Sequence, residues 1–511
     1  MTAAADRPYR RSVLRGTVAT GVANGWAIVL GLVTLPLLLN QLGAAAFGLW
    51  VLIQTFSATS GWLSLGDVGL TTAGTRAVAA AHAVDEDARA ARLAGTCLAL
   101  FTALGAAWAA LLALLGPVVL EPLFRVPERL QAEFATAVRW YAVVTLADFV
   151  IRGVLAVLEG AQRVDWSRGL EMTRRTLALG GPAVAALAGA GLAGVTAVSA
   201  AGTVAALLVT TVVLLRAPGV RVGLPALGEV GPLLRFGSSV AVLRPLGVLH
   251  RTMDRVVVGV VLGPSAVSVV EIATQLQNGS ESVLSAASYG VTPSASWLDA
   301  RGDHDRLREL VEVGSRYTLL ATLPIVAVTA LLAAPALTVW LGDGHGDVVA
   351  PAVLALAYTA VTAPLQVGSN LLVATGRIRP VLRAAAAGLC VNLALSIALV
   401  QALGVTGAFV ATVVSAVVIL PALGRPILAS VDLDLRTFLA TSVVPPVRAT
   451  VLIALAVAGP VALPLPAVPT LVLGGLAALA AAGLAVPRTA MAPGELRDLL
   501  RGLRARTPVA A

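Results

Sequence analysis

The sequence is poor in the residues that most catalytic and metal-binding sites need. Its 511 residues include only 2 cysteines and 4 histidines, and only 12% are charged. Cys97 and Cys390 are far apart and each lies in an apolar run, which favours small hydrophobic side chains over a disulfide or a metal site. The histidines lack metal-ligand spacing. The sequence therefore predicts no catalytic residue, no metal and no other cofactor.

Lysine is absent, so all 36 basic residues are arginine, and the formal net charge is +9. Such a surplus could indicate nucleic-acid binding, but the arginines occur in short clusters between apolar runs rather than in one patch. This distribution is typical of the loops of a membrane protein. We therefore expect no nucleic-acid partner.

Apolar residues dominate the chain instead. They make up 58% of the sequence, and the mean hydropathy is +0.89. A soluble domain is usually about a quarter charged, and a bilayer-spanning helix needs about 20 mostly apolar residues. Runs of this kind lie at 17–39, 47–71, 93–117, 138–160, 176–192, 197–215, 233–262, 265–292, 315–339, 349–374, 381–401, 406–428, 447–464 and 467–486. They predict an all-α polytopic membrane protein with about fourteen transmembrane helices.

The arginines also predict the orientation of these spans. Cytoplasmic loops are enriched in basic residues, and placing the N-terminus inside puts most arginines in inside segments. Outside segments then hold only Arg125, Arg129 and Arg139. The basic N-terminus precedes a long apolar run without a convincing cleavage site, which favours a first span over a removed signal peptide. Both termini are therefore expected in the cytoplasm.

Short sequence matches predict an internal repeat. Residues 42–46 resemble 262–266, and 155–160 resemble 371–376, in the same order and at nearly constant separation. Parallel repeats of helical bundles are a known plan for transporters. The predicted segments are a basic tail (1–16), a six-helix bundle (17–216), a linker (217–232), a second six-helix bundle (233–428), a linker (429–446), a helix pair (447–486) and a basic tail (487–511). The linkers and tails are expected to be cytoplasmic.

Several segments resemble a known family. Residues 35–56 and 61–78 resemble the opening spans of bacterial polysaccharide flippases, the O-antigen-type translocases of lipid-linked oligosaccharides in the multidrug/oligosaccharidyl-lipid/polysaccharide exporter superfamily. Residues 254–278 resemble the seventh and eighth spans of that family, although Val270 stands where it more often has tyrosine. Further matches lie at Pro293, 340–342, 370–377 and 392–407.

The resemblance implies a function. It implies a transporter, not an enzyme, that flips polyprenyl-diphosphate-linked oligosaccharide across the bacterial cytoplasmic membrane for cell-surface polysaccharide biosynthesis. Alternating access around a cationic cavity would be the mechanism. The implied partners are the lipid-linked oligosaccharide, membrane lipids, a polysaccharide polymerase and glycosyltransferases.

Charged residues inside the predicted seventh span are the main candidates for substrate binding. Ionisable groups in a span are costly and are functional candidates by default. Helical spacing places Arg244, Arg251 and Arg255 on one face, beside His250 and Asp254. One guanidinium group can donate two parallel hydrogen bonds to two phosphate oxygens. This helix face is therefore predicted to bind a diphosphate.

Some of these charges have candidate partners. Arg255 and Glu271 lie equally far from Gly263, so a turn there predicts an ion pair between them. Asp254 and Glu271 are also candidates for coupling transport to an ion.

The predicted fourth span holds a further pair. Asp148 and Arg152 are four residues apart on one helix face, which predicts an ion pair. Arg152 is also a candidate substrate ligand, and Asp148 a candidate coupling group. Asp67, near the end of the second span, is expected to be a helix-end group.

Other functions remain open at this stage. A multidrug exporter of the same superfamily would need an acidic cavity for cationic drugs, whereas the seventh span is rich in arginine. A peptidoglycan-precursor flippase would handle a chemically similar substrate. An integral-membrane glycosyltransferase, polymerase or ligase would usually need a larger outside loop. The charged stretch 299–312 is expected to form a short interfacial helix.

Overall fold

The computed structural model describes residues 6–59, 61–240 and 244–489, without the side chains of 6–24, 27, 239, 240 and 244. The predicted tails therefore lie partly outside the described residues, at 1–5 and 490–511. All regular secondary structure in the described ranges is helical. Contacts divide the chain into two compact units, Met1–Glu271 with Val400–Ala408, and Ile272–Leu399 with Phe409–Ala511. The two bundles predicted at 17–216 and 233–428 stay a prediction.

The first unit is built on a long helix followed by a broken region. Its complete helices are α1 (Asp6–Thr55), α2 (Leu70–Ala83), α3 (Asp87–Leu123), α4 (Glu128–Gly160), α5 (Val164–Leu187), α6 (Leu192–Arg216), α7 (Leu227–Val240) and α8 (Arg244–Leu262). α4 packs against α2, α3 and α6, and α5 packs against α1 and α6. The most apolar stretch of α4 is 78% buried, and the charged side chains of Asp148 and Arg152 on this helix are buried.

α9 (Pro264–Ser288) begins in the first unit and continues into the second. The remaining helices are α10 (Val291–Ala300), α11 (His304–Leu331), α12 (Ala333–Leu341), α13 (Val349–Thr362), α14 (Gln366–Ala374), α15 (Ile378–Leu403), α16 (Val405–Ser430), α17 (Leu435–Phe438), α18 (Val444–Ala462) and α19 (Ala467–Thr489). Within the second unit, α11 packs against α13 and α18, and α18 packs against α19.

The described part of the chain contains ten helices that are long and apolar enough to cross a membrane. This establishes an all-α polytopic membrane protein. The described residues of the runs at 176–192, 233–262 and 265–292 are mainly helical, but α5, α8 and α9 carry charged or amide side chains along their length. The crossing number of about fourteen therefore stays a prediction. The tight pairs predicted at 176–215 and 447–486 each form two full helices, α5 with α6 and α18 with α19.

Three details differ from the sequence-based expectation. The second predicted span is not continuous, because α1 ends at Thr55 and a short 3₁₀ helix (Trp62–Asp67) precedes α2. The stretch 299–312 is not a separate interfacial helix. A turn at 301–303 ends α10, and the Asp303 side chain accepts a hydrogen bond from Arg306 N to begin α11. Cys97 is buried as expected, whereas Cys390 is exposed.

Two glycines at matching positions of the predicted repeat both have a positive φ. Gly43 has φ 75° inside α1, and Gly263 has φ 86° between α8 and α9. Glycine adopts this left-handed region without steric cost. These residues occupy matching positions in the segments 42–46 and 262–266, which supports the predicted repeat at this point.

A second left-handed turn allows α7 to approach the start of α2. Gly69 has φ 74°, and a side chain there would overlap the carbonyl group of Gly237 on α7.

We expect Gly69→Ala to lower the free energy of unfolding by about 2–4 kcal/mol, because it adds left-handed strain and a clash. Thermal unfolding in detergent measures this loss. The control is Gly180→Ala on α5, where open space surrounds the added methyl group. Equal melting temperatures for the two variants would contradict the proposed close packing.

Candidate functional site: an arginine-lined cavity

The first unit contains a polar cavity of about 630 Å³, within the usual range for ligand sites. α1, α4, α5, α8 and the start of α9 contribute its lining. Its charged side chains are Asp148, Arg152, Glu171, Arg174, Arg175, Arg255 and Glu271. Ser57, Gln54 and Tyr141 add neutral polar groups, and the Tyr141 hydroxyl donates to Gln54 Oε1 at 3.2 Å. A polar lining of this kind is exceptional among helices that otherwise carry apolar side chains.

Arg152 on α4 is anchored by the turn that precedes α2. Its guanidinium forms an ion pair with Asp67 and also donates to the Ala58 carbonyl and to Thr71 Oγ1. Asp67 is fully buried, and its carboxylate accepts hydrogen bonds from Thr71 N at 3.0 Å and Thr71 Oγ1 at 2.8 Å. Asp67 is the last residue of the 3₁₀ helix rather than the end of a continuous span, and these bonds tie it to the first turn of α2. The same carboxylate also compensates a cavity arginine.

The prediction of an ion pair between Asp148 and Arg152 is wrong, because each residue pairs with a different partner. Asp148 Oδ1 instead accepts a hydrogen bond from Arg174 Nη1 at 3.0 Å. α5 and α4 make only limited contact, but Arg174 on α5 reaches Asp148 directly. Asp67, which precedes α2, pairs with Arg152. Both arginines thereby bind a carboxylate from another segment. Local i,i+4 spacing could not reveal these longer-range partners.

α5 contributes a group of three charged residues that the sequence-based analysis missed. Arg174 donates to both carboxylate oxygens of Glu171 at 2.9 Å, and Arg175 Nε donates to Glu171 Oε1 at 2.8 Å. Both arginines were expected in an inside loop, because the apolar run begins only at residue 176. The helix actually begins at Val164. The spacing Glu171-x-x-Arg174-Arg175, typical of side chains that meet on one helix face, was the available signal.

The pair expected between Arg255 and Glu271 is confirmed. Arg255 Nη2 lies 2.7 Å from Glu271 Oε2, and each side chain is about one-fifth exposed. The α8–α9 turn at Gly263 brings the two helices together at this depth. Asp254 lies beside Arg255 in the sequence and is half-buried, but it is outside the cavity lining.

The remaining candidates on α8 are placed differently. His250 is half-buried and Arg251 is exposed, and neither is among the cavity-lining residues. Arg244 begins α8, but its side chain lies outside the described residues. Among the predicted substrate ligands, the described cavity therefore brings together Arg152 and Arg255.

The arginines of this cavity are matched by acids. Arg152 pairs with Asp67, Arg174 with Asp148 and Glu171, Arg175 with Glu171, and Arg255 with Glu271. Buried charges are tolerated in a protein interior when they are paired and hydrogen-bonded in this way. The described cavity is thus rich in guanidinium groups but close to neutral overall.

Comparison with known proteins shows which family has this architecture. The model of the polysaccharide biosynthesis protein family matches residues 84–350. The chain belongs to this family. The matched segment includes α4, α5, α8 and α9, and hence all the charged lining residues of the cavity. No protein in a search of curated sequences matches the chain.

Solved structures of several other proteins have a similar fold. The lipid II flippase MurJ in an inward closed conformation is similar over 94% of this chain and 99% of its own, with a TM-score of 0.70 and 14% identity. An inward-facing multidrug resistance MATE family transporter of the MOP superfamily covers 82% of this chain and 98% of its own, with a TM-score of 0.62 and 16% identity. An outward-facing structure of such a transporter has a TM-score of 0.57 at 15% identity, over 82% of this chain and 96% of its own. At these identities, the similarity establishes a shared fold.

Proposed function

We propose that the protein is a flippase that moves a polyprenyl-diphosphate-linked oligosaccharide from the inner to the outer leaflet of the bacterial cytoplasmic membrane. The observation that carries this proposal is the arginine-lined cavity of about 630 Å³ in a polysaccharide biosynthesis protein. The lipid II flippase fold supports the same class of substrate. The exported oligosaccharide would serve cell-surface polysaccharide biosynthesis, together with a polymerase and glycosyltransferases as partners.

The chemistry of the cavity suits a diphosphate headgroup. The planar guanidinium group of arginine can bind two phosphate oxygens at once, and it remains charged when it is shielded from water. Sugars and phosphates cannot cross hydrocarbon unaided, because each desolvated polar group costs several kcal/mol. In the proposed mechanism, the polar headgroup crosses in the cavity while the polyprenyl tail stays in lipid.

Among the cavity arginines, Arg175 and Arg255 are the most accessible proposed ligands, since their side chains are 38% and 19% exposed, whereas those of Arg152 and Arg174 are 10% exposed. Arg152 would bind the same headgroup from a more deeply buried position. Arg244, Arg251 and His250 remain proposed ligands on the helix that carries Arg255. Asp254, Glu271 and Asp148 remain proposed coupling or ion-pair residues.

The balance of charges has a consequence for energetics. A headgroup with two negative charges gains about 2.3 kcal/mol per charge for each 100 mV when it moves outward from a negative cell interior. The compensated cavity would carry almost no net charge on the return step. We therefore propose that the membrane potential acts mainly on the loaded carrier. Alternating access between the predicted bundles, with both termini cytoplasmic, would complete the cycle.

Reconstitution in liposomes tests the proposal. Purified protein is expected to expose a fluorescent polyprenyl-diphosphate oligosaccharide to an external glycosidase faster than protein-free liposomes do. A potential that is negative on the side where substrate starts should accelerate this transfer. A transfer rate equal to that of protein-free liposomes, with correctly folded protein, would refute the flippase assignment.

Depletion of the protein in cells separates the proposed substrate from its nearest rival. Loss of surface polysaccharide with continued growth is expected if the substrate is a polysaccharide precursor. Arrested cell-wall synthesis would instead identify a peptidoglycan-precursor flippase. Export of cationic drugs without either effect would identify a multidrug exporter.

A further inference from the structure

Glu171 occupies the centre of a fork formed by two arginines on its own helix. Arg174 Nε and Nη2 donate to the two Glu171 oxygens at 2.9 Å each, and Arg175 Nε donates to Oε1 at 2.8 Å. This three-bond arrangement is the geometry in which arginine forks bind a phosphate group. The carboxylate therefore stands where a phosphate of a bound ligand could be held.

The two arginines differ in their other contacts. Arg174 has a second anchor, because its Nη1 donates to Asp148 Oδ1 at 3.0 Å. Its side chain is only 10% exposed, whereas that of Arg175 is 38% exposed and that of Glu171 is 19% exposed. If Glu171 moved away, Arg174 would stay fixed by Asp148, and Arg175 would lose its partner. The fork would then present two guanidinium groups to the cavity.

We propose that Glu171 is an internal competing anion, which fills the arginine fork in the empty protein and is displaced when a diphosphate binds. The identity of the displacing ligand rests on the proposed function, and the fork belongs to the same cavity. The exchange conserves the pattern of contacts, because phosphate oxygens replace carboxylate oxygens on the same donors. No buried guanidinium is left without an acceptor at either stage.

This competition regulates affinity and selectivity at the site. Two unopposed arginines in a shielded cavity would bind a diphosphate too tightly to release it, since tight ground-state binding does not speed turnover. A tethered carboxylate weakens binding and returns to the fork as the ligand leaves. An anion with a single weak contact cannot displace it. A diphosphate can, because it offers several oxygens at once.

Binding of farnesyl diphosphate to the purified full-length protein tests the proposal. By isothermal titration calorimetry, Glu171→Gln is expected to bind this probe at least about tenfold more tightly than the wild type, because a negative charge beside the ligand is removed. Adding Arg175→Gln to that variant should cancel most of the gain. The matched control is Glu159→Gln, because Glu159 also approaches an arginine of α5, Arg168, at 3.8 Å but lies outside the cavity lining. Its affinity should equal that of the wild type.

A purely structural role for Glu171 gives a different result. In that case Glu171→Gln would bind the probe equally or more weakly while its melting temperature fell, which would overturn the proposal. If that variant does not fold, Glu171→Asp replaces it, because its shorter carboxylate cannot reach both arginines. Tighter binding by this variant supports the proposal, and unchanged binding overturns it.

Transport kinetics in liposomes provide the second measurement. Glu171→Gln should lower both KM and kcat for the lipid-linked oligosaccharide, since stronger binding slows release. If the wild type binds farnesyl diphosphate but moves no lipid-linked oligosaccharide, the proposed function fails, whereas the competing-anion proposal is still judged by the binding of Glu171→Gln. The two proposals can therefore fail separately.

Discussion

Replacing Arg152 with glutamine is expected to lower the free energy of unfolding by about 3–5 kcal/mol, because Asp67 would become a buried charge without its ion-pair partner. Asp67 is fully buried, and its carboxylate also accepts hydrogen bonds from Thr71 N and Thr71 Oγ1. Two neutral hydrogen bonds from threonine do not replace an opposing charge. Thermal unfolding of the detergent-purified variant measures the loss.

The paired variant Asp67→Asn/Arg152→Gln isolates the cause. It removes both charges, keeps similar side-chain shapes and is expected to recover most of the lost stability. Asp67→Asn alone should be destabilising, since it removes the carboxylate that pairs with the buried Arg152 guanidinium. A paired variant that is as unstable as Arg152→Gln would show that the ion pair does not account for the effect.

Neutralising the Arg255–Glu271 pair is expected to reduce transport about 10- to 100-fold with little change in stability. The variant Arg255→Gln/Glu271→Gln can keep a hydrogen bond between the two side chains, and it leaves the net charge of the empty cavity unchanged. It removes the Arg255 contact with the substrate, and a hydrogen bond to a charged group contributes about 1.5–3 kcal/mol. Initial rates in the liposome assay measure the loss of transport.

The matched control for this experiment is Arg168→Gln/Glu159→Gln. These residues also form an ion pair, with 3.8 Å between Arg168 Nη2 and Glu159 Oε1, but neither lines the cavity. Transport by the control should stay close to that of the wild type. Equal losses in both paired variants would mean that Arg255 does not act as a substrate ligand.

The accuracy of the sequence-based predictions depended on how local each feature is. Apolar runs gave the helix positions, because a lipid-facing helix must be apolar along its own length. The Arg255–Glu271 pair could be predicted because both residues flank one glycine turn. The break between Thr55 and Leu70 was not foreseen, because residues 47–71 were read as one apolar run, although 55–70 contains three serines, three glycines and Asp67. The helix resumes as α2 directly after Gly69, whose backbone lies against Gly237, which is a contact between distant segments.

Composition and the spacing of apolar runs by themselves determined the membrane class and the helical architecture, and the segments 35–56, 61–78 and 254–278 carried the resemblance to polysaccharide flippases. The reason is that the lipid favours an apolar side chain at each position of a span, independently of the other positions. Only the tertiary structure decided the partners of the buried charges. Arg152 binds Asp67 rather than Asp148, and Arg174 joins Asp148 to Glu171. A buried charge takes whichever opposite charge the packing of helices brings within hydrogen-bond distance, and that choice is made between segments far apart in the chain.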